Sequence, residues 1–209
     1  MAANASMSEP FSMTQTEPEK RRAIVRATIE LVAERGFHAT PMSMIAARAG
    51  VGAGSIYRYF ADKEILIHET FAEVSARTHE AMLDSYPRDA SIRRRYEHFF
   101  LRMSHFFIEH PSDFGFLRQY FDSPFGIALR RDKMMEQECR GRDDESLSCL
   151  IEEGIASGLF KKLPPLVHIS IIFGGLVAVA REHILGFVTL DTPMLQIIAD
   201  ACWDALARH

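Results

Sequence analysis

Cysteine is scarce in this chain, and a long apolar run is missing. Cys139, Cys149 and Cys202 are odd in number and lack metal-type spacing, which argues against a disulfide framework and favours a reducing cytoplasm. No uninterrupted apolar stretch reaches the ~18 residues needed to cross a bilayer, so no membrane association is expected. Residues 1–18 lack the basic head and apolar core of a secretory signal, and we expect a disordered arm there.

Catalytic motifs are missing as well. The chain contains no nucleophile elbow, no His-Glu-x-x-His zinc motif and no phosphate-binding loop. The acidic run Asp143, Asp144 and Glu145 lies in a polar stretch typical of a solvated helix face. We therefore expect no catalysis, no cofactor and no metal site, although an enzyme remains the opposing class of protein.

The charge is unevenly divided along the chain. The net charge is −4, yet residues 17–66 carry eight Lys or Arg against six Asp or Glu, whereas residues 67–209 carry sixteen against twenty-one. A modestly basic lobe on an acidic body is typical of a DNA reader joined to a separate sensing domain.

The stretch from Ser43 to Lys63 predicts two short helices joined by a tight turn. Ser43 is suited to cap the first helix, and Gly50 is suited to end it. A second helix is predicted over residues 53–60, with Ile56 and Phe60 facing inward four residues apart. This pattern is a helix-turn-helix, and a short helical hairpin that binds nothing is the alternative.

Helices are also predicted on both sides of this hairpin. The apolar spacing from Glu19 to Arg35 predicts the preceding helix, whose basic first turns are either solvated or face an anion such as a DNA phosphate. Asp62 is placed to cap a long following helix that extends to about Ser85. Such a rod would link the hairpin domain to the remainder of the chain, which shows helical spacing and no persistent strand pattern.

Residues 27–66 resemble the N-terminal domain of the TetR family of bacterial repressors. The resemblance rests on ELVAERGFHAT, followed by IAARAGVGAGSIYRYFADKEIL at fixed spacing. It implies an all-α protein with a three-helix DNA-binding domain over residues 19–64 and a larger helical effector-binding and dimerisation domain over residues 65–209. Gly52 and Ala53 depart from the family, which usually has serine or threonine and then a longer polar residue there.

The resemblance also implies a DNA-binding surface. Ser55, Tyr57 and Arg58 would contact bases or nearby backbone, although packing against the first helix is the alternative for Tyr57. Gly54 would permit close approach. Thr40, Tyr59 and Lys63 would hold phosphates. The full predicted set is Thr40, Ser43, Gly54, Ser55, Tyr57, Arg58, Tyr59 and Lys63.

Aromatic residues are dense in the predicted body. They form either an ordinary core or, as the resemblance implies, a cavity for a small apolar or aromatic effector. The candidate lining residues are Phe99, Phe100, Met103, Phe107, Phe114, Arg118, Phe121 and Phe173.

Two apolar helices near the end, Leu166 to Gly186 and Pro193 to Ala207, match the family's dimer interface. Their presence predicts a two-fold homodimer on a palindromic double-stranded operator. The predicted function is a ligand-responsive repressor. A small-molecule-binding dimer whose head no longer reads DNA is the alternative.

Overall fold

The chain folds as a bundle of helices. The computed structural model describes residues 16–135 and 146–208. For residues 130–135 it describes the backbone only. In these ranges the only strand-like feature is an isolated bridge between Phe160 and Ala207. The all-α prediction is confirmed. The described helices are α1 Glu17–Arg35, α2 Met42–Arg48, a 3₁₀ turn Ile56–Arg58, α3 Lys63–Leu83, α4 Ile92–Glu109, α5 Pro111–Asp122, α6 Pro124–Met135, α7 Leu147–Ala156, α8 Pro165–Ile184 and α9 Thr192–Leu206.

Helix α1 begins earlier than the sequence pattern indicates. The backbone N–H of Thr16 donates to Glu19 Oε2 at 2.6 Å, and Pro18 lies in the first turn. Both features are typical of a helix start. Residues 17 and 18 are therefore helical, and the predicted arm is wrong at these two positions. Residues 1–15 and the acidic run 143–145 lie outside the described residues, as does Cys139.

Helix α3 runs from the N-terminal head (residues 17–62) into the body formed by α4–α9. The predicted cap is confirmed, because Asp62 Oδ1 accepts a hydrogen bond from Ile65 N at 2.8 Å. The 21 residues of α3 span about 30 Å. Arg21 of α1 ties this helix to the head through Glu69 at 2.5 Å and Glu73 at 2.6 Å.

A second joint connects head and body where α1 crosses α5. A Cβ placed on Gly115 would lie 2.8 Å from the Cβ of Ala33, so only glycine permits this close approach. Phe37 follows α1 and packs edge-on against Phe116 of α5, with ring centroids 5.8 Å apart. Phe37 also meets Phe125 of α6 at 6.2 Å. The head is thus held at two places, α3 and the α1–α5 crossing.

Helix α4 forms the centre of the body. Tyr96 is fully buried and its hydroxyl donates to the carbonyl of Ala199 in α9 at 3.0 Å. Trp203, the only tryptophan of the chain, packs against Tyr96 at 5.2 Å and against Phe160 at 5.0 Å between ring centroids. The guanidinium of Arg93 lies 4.7 Å above the Trp203 ring. These contacts join α4 to α9.

Helices α8 and α9 expose many large apolar side chains. Ile197 of α9 is 62% exposed, and Phe187 in the connection between the two helices is 78% exposed. By length and composition α8 could span a bilayer, since the mean hydropathy of its most apolar stretch is 1.4. Only 22% of that stretch is buried inside the described part of the protein, so most of it is left uncovered. The further members of this apolar face are Leu166, Val167, Ile184, Leu185, Val188 and Met194.

The α1–α5 crossing generates the first prediction. Gly115→Ala should lower the free energy of unfolding by about 1 kcal/mol, because overpacking costs roughly 2 kcal/mol and improved helix propensity returns about 1 kcal/mol. Urea denaturation followed by circular dichroism measures the change.

The matched control moves the methyl group across the joint. Ala33→Gly combined with Gly115→Ala removes the clash, so the double variant should be more stable than Gly115→Ala alone. A single Gly115→Ala variant as stable as the unaltered protein would contradict the tight crossing.

Candidate nucleic-acid interface and effector cavity

A left-handed glycine closes the turn of the hairpin. Gly50 has φ +69°, where a side chain would be strained, and Val51 N then donates to the carbonyl of Ala46 at 3.0 Å. Ile56 and Phe60 are buried behind the turn, as the four-residue spacing predicts. The opposite face of residues 54–59 is thereby directed outward.

The second helix of the hairpin is shorter than predicted. Residues 53–60 contain one 3₁₀ turn, Ile56–Arg58, instead of a continuous α-helix. Ser55 N donates to Gly52 O at 2.8 Å and Arg58 N donates to Ser55 O at 3.1 Å, which is the tighter i→i+3 pattern. Gly52 offers no side chain to cap the first N–H groups, and Gly54 adds backbone freedom.

Two predicted base-contacting side chains are open to solvent. Tyr57 is 54% exposed, so about half of its surface is available to a partner outside the head. The Arg58 side chain is 69% exposed and forms an ion pair with Glu17 at 2.8 Å. Gly54 is exposed, and Ser55 and Tyr59 are half-buried beside them. The structure therefore brings residues 54–59 together on one surface.

Glu17 belongs to this surface, although the sequence pattern did not indicate it. Its carboxylate also interacts with the hydroxyl of Tyr59 and raises the pKa of that phenol. The one sequence signal that could have indicated Glu17 is an acidic residue in the first turn of a helix. That signal is weak, because acidic residues are common at helix starts.

Two predicted contact residues near α2 need correction. Thr40 is fully buried, and its hydroxyl donates to the carbonyl of Gly36 at 2.8 Å, so its side chain does not face a phosphate. Helix α2 begins at Met42 with Pro41 at the cap position. Ser43 is therefore inside the first turn and does not cap the helix, but its side chain is exposed.

Four arginines of α1 and α2 fall into two groups. Arg21 and Arg48 are paired with acids of other helices, the first with Glu69 and Glu73 of α3, the second with Glu30 and Glu34 of α1. Arg22 and Arg26 lie on the exposed side of α1.

Lys63 connects the start of α3 to the end of α1. Its Nζ donates to the carbonyl of Phe37 at 2.5 Å. Partial burial lowers the pKa of the lysine. An ammonium group has three donors, so this bond leaves two for other partners.

The body contains a small apolar cavity of about 10 Å³, roughly the volume that one water molecule occupies. Four predicted residues line it, namely Phe99, Phe100, Met103 and Phe173. Pattern reasoning missed five others, because they come from four separate helices, α3, α4, α7 and α8. The five are Met82, Tyr96, Leu147, Ile172 and Leu176.

The other four predicted residues do not line this cavity. Phe107 and Phe114 pack on each other with ring centroids 5.0 Å apart. Phe121 is 39% exposed and its ring meets that of Phe71 at 5.8 Å. Arg118 is half-buried on α5. These four residues lie away from this cavity, because helical spacing alone does not define which core a helix face enters, and their role toward an effector stays a prediction.

Polar groups near the cavity are engaged elsewhere or face away from it. The Tyr96 hydroxyl is bound to Ala199 O, and burial raises the pKa of this phenol above its usual range. Within residues 16–135 and 146–208, no three His, Cys, Asp or Glu side chains are grouped to hold a metal ion.

Two family models together cover nearly all of the chain. Residues 24–70 match "Bacterial regulatory proteins, tetR family", and residues 71–208 match "Tetracyclin repressor-like, C-terminal domain".

The chain belongs to the TetR family. It is a transcriptional regulator with a DNA-binding helix-turn-helix domain, and proteins of this family are not enzymes. TetR regulators bind DNA operators and ligands and function as dimers. The helical head and body described above are the two parts of the TetR fold.

Regulators of known name match only part of the chain. The chain is 35% identical to the HTH-type transcriptional regulator BetI of Klebsiella pneumoniae over 68 residues, which are 32% of this chain and 35% of BetI. It is 35% identical to the fatty acid metabolism regulator protein of Bacillus subtilis over 83 residues, which are 40% of this chain and 42% of that protein. The match thus spans about two-fifths or less of these relatives.

Solved TetR structures match along nearly the whole chain. A TetR family transcription regulator from Marinobacter aquaeolei VT8 has a TM-score of 0.78 and 25% identity, covering 92% of this chain and 98% of that one. A TetR family protein from Vibrio parahaemolyticus has a TM-score of 0.71 and 31% identity, covering 91% and 99%. The TetR fold therefore extends over both the head and the body.

The uncapped start of the recognition segment generates the second prediction. Gly52→Ser should have a free energy of unfolding about 1 kcal/mol higher than that of the control Gly52→Ala, because a serine hydroxyl can accept from the first N–H groups of the segment and an alanine methyl cannot. Relative to the unaltered protein the gain of Gly52→Ser should be only a few tenths of a kcal/mol. Thermal unfolding should rank serine above alanine, and equal stability of the two variants would contradict a missing cap.

Proposed function

We propose that the chain is a repressor that binds a palindromic operator as a homodimer and dissociates when a small apolar or aromatic effector enters the body. The surface of residues 54–59 supports this proposal most directly, because Tyr57 and Arg58 are open to solvent on a rigid head. Side chains that read bases in the major groove need that exposure.

The proposed DNA contacts have different roles. Gly54 allows close approach of the backbone to the DNA, and Ser55, Tyr57 and Arg58 contact base edges or adjacent backbone. Tyr59 and Lys63 bind phosphates, with Lys63 using the donors left free by Phe37. Ser43 contributes an exposed hydroxyl in the first turn of α2. Thr40 has a structural role only.

A second copy of the chain is the proposed partner of α8 and α9. The predicted interface segments, Leu166 to Gly186 and Pro193 to Ala207, coincide with helices that present Val167, Met194 and Ile197 to solvent. An apolar face of this extent on a soluble protein is typical of an interface. Dimerisation also explains the apolar composition of α8 without a membrane, and it fits a cytoplasmic location.

The closed cavity suggests how an effector would act. A volume of about 10 Å³ cannot hold a drug-sized molecule, so binding requires the lining helices to separate. Met82 lies in the last turn of α3, the helix whose first residue is Lys63 in the head. Displacement of Met82 would therefore turn the head relative to the body.

The third prediction concerns Arg58. In a mobility-shift series on duplexes selected from a random pool by the unaltered protein, Arg58→Ala should lose about 1–3 kcal/mol of discrimination at a guanine position. Arg35→Ala is the control, since Arg35 ends α1 on the same head at the opposite end of the helix from Glu17. Unchanged base preference in Arg58→Ala would remove this arginine from base recognition.

The fourth prediction concerns the dimer. Ile197→Glu places a charge on the exposed face of α9 and should yield a monomer by sedimentation velocity, because a buried unpaired carboxylate is unfavourable. The monomer should retain its helical circular dichroism and lose operator binding. Ile127→Glu, at an exposed site on α6, is the control and should leave the dimer intact. A dimeric Ile197→Glu protein would contradict this interface.

The alternative function, a ligand-binding dimer that no longer reads DNA, is favoured by one observation. The recognition segment holds a single 3₁₀ turn, which presents its side chains less rigidly than a helix would. If the unaltered protein selects no duplex from the random pool and shows no salt-sensitive binding, this alternative replaces the repressor.

A further inference from the structure

We infer that Glu17 is a positioning residue of the DNA reader: its carboxylate directs Arg58 toward base edges and away from phosphates, and so increases sequence discrimination at the expense of affinity. This inference rests on the proposed function. It adds a residue of opposite charge to a surface otherwise composed of neutral and basic groups.

The geometry joins residues that are far apart in the chain. Glu17 Oε1 accepts from a terminal guanidinium nitrogen of Arg58 at 2.8 Å, across 41 positions of sequence. The pKa of the neighbouring Tyr59 phenol is raised, chiefly by the same carboxylate. The direct contact between Glu17 and the reader is the one with Arg58.

Glu17 is held firmly enough to act as a reference point. It is the first residue of α1, and the start of that helix is fixed by the bond from Thr16 N to Glu19 Oε2 at 2.6 Å. About two turns later α1 enters the core, where Ala23, Ile24 and Val25 are buried. The carboxylate is thus attached to a fixed backbone.

Arg58 needs such a partner more than a residue of a long recognition helix would. Its backbone belongs to a single 3₁₀ turn, and most of its side chain is in solvent. An exposed arginine without orientation binds any phosphate, which adds affinity for every DNA sequence equally.

The contact leaves Arg58 able to read a base. Arginine has five N–H donors, and bidentate recognition of guanine O6 and N7 uses two of them. Glu17 engages one terminal nitrogen, so the other side of the guanidinium fork remains open. The negative charge also repels the DNA backbone, which further reduces sequence-independent binding.

The other arginine pairs of the head have a different geometry. Arg21 and Arg48 each bridge between helices of the scaffold, to glutamates on α3 and α1 respectively. Among the described ion pairs, only the pair of Arg58 and Glu17 includes a predicted base-contacting residue. Its effect should therefore appear in specificity more than in stability.

The test uses the full-length dimer and fluorescence anisotropy. The probes are the duplex that the unaltered protein selects from a random pool, versions changed at each guanine, and a scrambled duplex. Glu17→Gln should bind the scrambled duplex at least about three-fold more tightly and lose at least about three-fold in discrimination at the Arg58-dependent guanine. Its affinity should also fall more steeply with salt, by about one extra phosphate contact per head.

Three variants separate positioning from a general charge effect. Glu64→Gln removes a carboxylate from the first turn of α3, where it faces His68 at 3.8 Å, and should leave discrimination unchanged. Glu17→Asp keeps the charge and should restore most of the discrimination. Glu17→Gln added to Arg58→Ala should cause no further loss, because the residue that Glu17 orients is then gone.

The outcomes distinguish the two proposals. If the unaltered protein selects no duplex, the proposed function fails and this inference fails with it. If the unaltered protein selects an Arg58-dependent duplex and Glu17→Gln discriminates equally well, or if Glu64→Gln loses as much, Glu17 has no positioning role. Circular dichroism melting of each variant confirms that the compared proteins are folded.

Discussion

The structure depends on the packing of α1 between the hairpin and the body. This helix is buried on most of its circumference, since Ala27, Leu31 and Val32 are all inaccessible. At its C-terminal half it meets α5 so closely that Ala33 requires a glycine opposite, and the following Phe37 packs against α5 and α6. A helix that serves two domains at once transmits displacement between them, because close-packed interfaces shift as units.

Two connections from body to head therefore coexist. Helix α3 carries a residue of the apolar cavity near its end and a lysine of the proposed DNA surface at its start. The α1–α5 crossing restrains the same head from another side. The TetR assignment fits this arrangement, since its members bind both DNA operators and ligands.

The sequence predicted local features well and long-range ones poorly. Gly50 and Asp62 were identified because a left-handed turn and a helix cap each depend on a few neighbouring residues. The short length of the helical turn in the recognition segment was missed because Gly52 has no side chain to cap a helix that would begin at residue 53. Thr40 was misassigned because burial is a tertiary property.

The cavity and Glu17 show the same limit at larger separation. Half of the predicted lining residues lie away from the described cavity because several faces of α4 and α5 are apolar, and only the packed structure determines which face meets α8. Glu17 lay in a stretch interpreted as an arm, and its partner is 41 residues away. The family resemblance located the reader surface, but it carried no information on a residue that precedes the matched segment.

The position of Trp203 has a practical consequence for solution work. It is buried between α4 and the strand-like bridge at Phe160, beneath the guanidinium of Arg93, and the head contains no indole of its own. Intrinsic emission excited at the red edge will therefore report on the sensing half of the molecule alone. A change in Trp203 emission on DNA binding would therefore show that a structural change in the head is transmitted to the body.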